Sequence, residues 1–132
     1  MRILHWKIAL FISSSLFIAS CSTTNVKNPT QMATNLINRQ SVTPLTHQTY
    51  PEKTPTTVAL YTNDTTPSSA YRIIGIAQVS KYNIFGVSRQ PETMNAMMKK
   101  LAASIGGDGL IDVNQTDKGT EAKVIAYQKI LL

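Results

Sequence analysis

Between Pro91 and Gly107 the apolar residues Met94, Met97, Met98, Leu101, Ala102 and Ile105 recur at spacings of 3, 1, 3, 1 and 3. At 100° per residue they fall within an arc of about 140°, while Asn95, Lys99, Lys100 and Ser104 lie outside it. Pro91 and Glu92 suit a first helical turn, through a preset φ and a charge that complements the helix dipole, and Gly106-Gly107 supplies a stop. One helix of this length cannot bury such a stripe against itself. The chain must therefore supply a sheet.

The sheet is sought on either side of that helix. Val58-Ala59-Leu60-Tyr61 has the β-branched and aromatic character of a short strand, broken by the polar run Asn63 to Ser69. Tyr71 to Ser80 reads as a longer strand with Gly75 marking a bulge or a close backbone approach. Lys81 to Arg89 reads as a loop or short irregular strand. Gly109 to Gln115 is expected to be a strand, Asp117-Lys118-Gly119 a turn, and Glu121 to Leu132 a last strand whose apolar Val124-Ile125-Ala126-Tyr127 suits a central position. The order β-β-α-β-β gives an α+β domain over residues 57–132, one amphipathic helix on a mainly antiparallel sheet.

Ahead of it, Ser22 to Thr56 holds nine threonines, four asparagines, three glutamines and four prolines, with few large apolar residues. Such a stretch cannot repay the entropy of ordering, so residues 21–56 are expected to be a flexible tether. Gln31 to Gln40 has the makings of a helical turn or two that a partner would order. All six glycines lie beyond Thr57, which places the domain boundary there.

The first twenty residues carry a different message. Arg2 and Lys7 precede a 12-residue apolar run, Ile8 to Ala19, too short for the roughly 20 residues of a membrane-spanning helix. With small residues at its end, this is the layout of an export signal. Ile18-Ala19-Ser20-Cys21 resembles the lipobox of bacterial lipoproteins. That resemblance implies cleavage between Ser20 and Cys21 and lipid on the Cys21 sulfur. Ser22 follows the cysteine where an aspartate would retain a lipoprotein in the inner membrane, so the outer membrane is the expected location, with the domain in the periplasm.

Cys21 is the single cysteine. Once lipidated it leaves no thiol for a disulfide, and stability must come from packing, aided by self-association or a partner. Of 13 basic residues two leave with the signal, against 7 acidic ones, for a mature net charge of +4. That surplus is too thin and too scattered for a nucleic-acid stripe.

Residues 57–132 contain no histidine, cysteine or tryptophan. Nucleophile pairs built on histidine and zinc sites built on imidazole or thiolate are thereby excluded, and no cofactor and no enzymatic activity are expected. His47 reads as a solvated spacer residue. Met94, Met97 and Met98 read as core rather than as a soft-metal site. Asp108, Asp112 and Asp117 cluster around the strand GLIDV and offer hard oxygens to a divalent cation or small ligand, but their spacing matches no calcium loop. Turn and cap roles suit Asp108 and Asp117. The loop around Asn83 and Gly86 joins aromatic and cationic groups in a composition found at interaction surfaces, making Lys81, Tyr82, Phe85 and Arg89 the candidate partner-binding residues.

Val58-Ala59-Leu60-Tyr61, Ile74-Gly75, the amphipathic helix and the run Ala102 to Ile111 together resemble the periplasmic domain of RcsF-type envelope-stress lipoproteins and, more distantly, YbjQ-like domains. The resemblance covers about residues 57–132. It implies a non-enzymatic signalling or interaction domain that engages envelope proteins. That family carries disulfides within its domain, and this chain has none.

Overall fold

The computed structural model describes residues 29–129. Two helices, α1 (Pro29–Asn38) and α2 (Pro91–Ser104), accompany strands β1 (Gln40–Pro44), β2 (Ala59–Leu60), β3 (Tyr71–Ser80), β4 (Gly109–Thr116) and β5 (Gly119–Tyr127). The strands form one sheet in the order β1-β3-β5-β4-β2. All neighbours run antiparallel except β2 and β4. This is the expected α+β class, with the β-β-α-β-β order intact from β2 to β5.

The helix stripe goes where its periodicity requires. Met94, Met98, Leu101 and Ala102 are buried against Ile74, Ala77 and Val79 of β3, Ala122, Val124 and Ala126 of β5, and Leu110 of β4. Met97 and Ile105, at the margins of the arc, are only partly buried. Central β5 contributes Val124, Ile125 and Ala126, all essentially inaccessible. Two register shifts bend the ladder, one between Ile73 and Gly75 in β3 and one between Ile111 and Asn114 in β4, where Asp112 takes a left-handed φ of 51°. An aspartate tolerates that conformation better than most side chains.

The end of α2 is a Schellman turn: the Gly107 N–H donates to the Ala102 carbonyl at 2.8 Å and the Gly106 N–H to that of Ala103 at 3.0 Å. Gly106 has φ +81°, and a Cβ there would collide with Tyr50 and the Pro51 carbonyl. The helix stop is thus also the seat of the 50–51 segment.

That contact corrects the expected tether. Residues 29–56 are built onto the domain: α1 and β1 occupy its first half, and Tyr50 packs against the core. The Lys53 N–H donates to the Ala103 carbonyl at 3.0 Å. The residues 40–44 pair with β3 along their whole length, from Gln40 opposite Val79 to Pro44 opposite Gly75. Composition argues for disorder when a segment must offset its ordering entropy with its own side chains. Here β3 offers a free ladder edge and only Val42 need reach the core. The part of the expected tether before Pro29 lies outside the described residues, as do the signal peptide, Ser20, Cys21 and the last three residues of the expected final strand.

Candidate functional site

At its C-terminal end β3 runs straight into the Lys81 to Arg89 loop, which is tied at its base. The Lys81 N–H donates to the Lys118 carbonyl at 2.9 Å, and the Arg89 N–H to the Lys81 carbonyl at 2.7 Å. A single bridge pairs Tyr82 with Ser88. The tip is organised by Asn83. Its Oδ1 accepts from the Phe85 and Val87 N–H groups at 2.9 and 3.0 Å, while its backbone donates to the Val87 carbonyl and accepts from Gly86. This is an Asx-type turn closed by a glycine at φ +77°. No Cβ would meet an obstacle at Gly86, so its role is conformational.

What this framework holds up is apolar and uncovered. Phe85 is 82% exposed, Val87 59% and Ile84 51%, with Tyr82 beside them. A rigid turn that presents adjoining aliphatic and aromatic groups to water loses little conformational entropy when a partner covers it. Lys81 Nζ sits 5.9 Å from the Tyr82 ring centroid, at the outer reach of a cation–π contact. Below the tip, Lys81, Arg89, Pro91, Met94 and Thr120 line a shallow cleft of about 460 Å³.

The four candidate residues are thus brought together, in two roles. Tyr82 and Phe85 stand at the surface. Arg89, half-buried, donates through a guanidinium nitrogen to the Ser80 carbonyl at 2.9 Å and fastens the loop to the strand. Ile84 and Val87 belong to the same surface, though they are neither aromatic nor cationic. The apolar run flanking Gly86 was the available signal.

No family model, curated protein or solved structure matches the chain.

The aspartates do not converge. Asp108 forms a salt bridge with Lys53 and accepts from the Tyr127 N–H at 2.7 Å, tying the 50s segment to β5. Asp112 is paired with Lys123 at 2.8 Å on the exposed sheet face. Asp117 occupies the exposed turn between β4 and β5. Among the described residues no three His, Cys, Asp or Glu side chains gather as a metal would require. Nearby, the Tyr61 and Tyr127 hydroxyls share a hydrogen bond. Burial, then that bond, then the charges of Tyr61 and Asp108, push the Tyr127 phenol up to about 12. Gly109 makes room for this pair: a Cβ there would lie 2.8 Å from a ring carbon of Tyr61. Among the described residues no helix is long and apolar enough to cross a membrane.

Proposed function

We propose that this chain is a non-enzymatic lipoprotein, anchored in the outer membrane through lipid on Cys21, whose periplasmic domain binds envelope proteins and relays envelope stress. The observation that supports the binding role is the ordered turn at Asn83 holding Phe85, Ile84 and Val87 in solvent. Large exposed apolar groups in a monomeric domain mark interaction sites, and rigid aromatic anchors are the usual energetic centres of interfaces. The lipobox and the short apolar leader support the anchor. Two or more acyl chains hold a protein at a bilayer without help from its fold.

A photo-crosslinking residue at position 85, with another at the exposed Lys129 as a reference, tests the binding role in living cells. A discrete adduct with an envelope protein is expected at position 85 alone, rising under envelope stress and lost in Ile84→Ser/Val87→Ser. No adduct at position 85 under any stress overturns it. For the anchor, Cys21→Ser should abolish the lipid mass and release the protein from the membrane fraction.

A further inference from the structure

Helix α1 is built inside out. At 100° per residue Met32, Leu36, Ala33 and Ile37 fall within an arc of about 140°, and Thr30, Thr34, Asn38, Gln31 and Asn35 fill the rest. An amphipathic helix on a globular domain turns its apolar arc to the core. In α1 the least exposed side chains are Asn35 and Asn38, and Asn35 Oδ1 accepts from Gln40 Nε2 at 2.8 Å. The apolar arc is not buried on the sheet: Met32 is 54%, Leu36 73% and Ile37 58% exposed, Leu36 bordering an open groove shared with Gln78 and Glu121. Only something outside the domain could cover it.

Where α1 sits in the chain decides what. Because residues 29–56 are folded onto the domain, only Ser22 to Asn28 separate Cys21 from the first residue of α1. At its longest that leash spans about 28 Å, against the roughly 115 Å open to a fully extended tether reaching Thr56. The helix cannot leave the neighbourhood of the acyl chains. Its surroundings also suit an anionic lipid surface: the chain contains no acidic residue before Glu52, whereas Lys27 and Arg39 bracket the helix. The acidic group in the adjoining groove, Glu121, accepts a hydrogen bond from Gln78.

Building on the lipid-anchor reading, we infer that α1 is an interfacial helix: it lies in the headgroup region beside the anchor, Met32, Leu36 and Ile37 directed to the acyl chains and Asn35 and Asn38 to the sheet. Interfacial helices bind through this combination of apolar area and flanking cations. The domain then rests on the bilayer in a fixed orientation rather than floating on a long leash.

The mature protein makes the test clean. Trp6, the single tryptophan, lies in the signal peptide, so a tryptophan placed by Leu36→Trp reports alone. Mature protein purified from expressing cells is mixed with phosphatidylethanolamine/phosphatidylglycerol vesicles with and without brominated acyl chains, and Phe85→Trp is treated in parallel. The expected result at position 36 is emission shifted to the blue and quenched by bromine. Water-like, unquenched emission at position 36 overturns the inference. So does quenching confined to position 85, or a blue shift without quenching that grows with protein concentration, which would put a second copy on this face. The N-terminal mass of the same sample separates the two levels. With lipid on Cys21 and no quenching, the helix inference alone falls; with no lipid on Cys21 and no vesicle binding, the anchor reading falls and takes the inference with it.

Discussion

Helices α1 and α2 share an arc of apolar residues of similar width, yet one arc is sealed and the other is bare. Leu101 in α2 is 2% exposed and Leu36 in α1 is 73% exposed. Both follow the same 3.6-residue period, so periodicity says only that a helix has two faces. Which face turns inward is set by what lies beneath. Under α2 the sheet presents alanines and branched aliphatics from three strands. Next to α1 it presents edge strand β1, with Gln40 positioned to bond an asparagine.

The contrast is tested first where the effect should be largest. Leu101→Ala should cost 2–5 kcal/mol and lower the melting temperature by many degrees, because the cavity opens among residues that cannot collapse into it. Leu36→Ala, the same change on the bare arc, should stay within about 0.5 kcal/mol. Equal losses in thermal denaturation would show that α1 is core after all.

Next in size is the attachment of the 50s segment, which docks on the end of α2 while β1 is held by its own ladder with β3. Asp108→Ala removes the partner of Lys53 and leaves the Tyr127 N–H without its acceptor, an expected loss of about 1–3 kcal/mol. Gly106→Ala should cost about 1–2 kcal/mol for the left-handed φ alone, with more from the collision at Tyr50. Both variants should expose residues 50–57 to protease while α2 stays protected. Uniform protection would mean that the segment docks by other means.

The smallest effect is electrostatic. Since the folded chain raises the Tyr127 pKa from 10 to about 12, it favours the neutral phenol. That stabilisation is complete below pH 10 and is lost as pH climbs from 10 toward 12. Lys123, raised from 10.5 chiefly by donating to Asp112, acts in the same direction at higher pH. Urea denaturation at pH 9 and pH 11.5 should show a fall in stability that Tyr127→Phe makes shallower. An unchanged slope in the variant would exclude the tyrosine pair as its source.

The Lys81 to Arg89 loop was legible in part. Its aromatic and cationic composition named Tyr82 and Phe85, which stand exposed, but also Arg89, whose guanidinium is spent on the Ser80 carbonyl. Composition cannot distinguish a cation facing a partner from one fastening a loop, since both need only a donor near the right place. Ile84 and Val87 lie outside that aromatic and cationic signal for a related reason. Nothing local to the residues flanking Gly86 says whether they pack or protrude, and it is the Asn83 turn that carries them into solvent.

The sequence alone determined α2, the strands from Tyr71 onward and the central place of β5, because each carries a local periodicity strong enough to specify both its conformation and its buried face. It also determined that residues 57–132 hold no histidine or cysteine, although His47 enters the domain with residues 29–56. Only the tertiary structure decided that residues 29–56 belong to the domain. Their own side chains bury too little to order them, and the missing free energy comes from a sheet edge and a glycine-lined helix end built by residues far along the chain. The outward turn of the α1 apolar arc goes with its neighbour β1, whose Gln40 bonds Asn35 on the opposite side, because orientation belongs to the interface between elements and not to any one element's pattern.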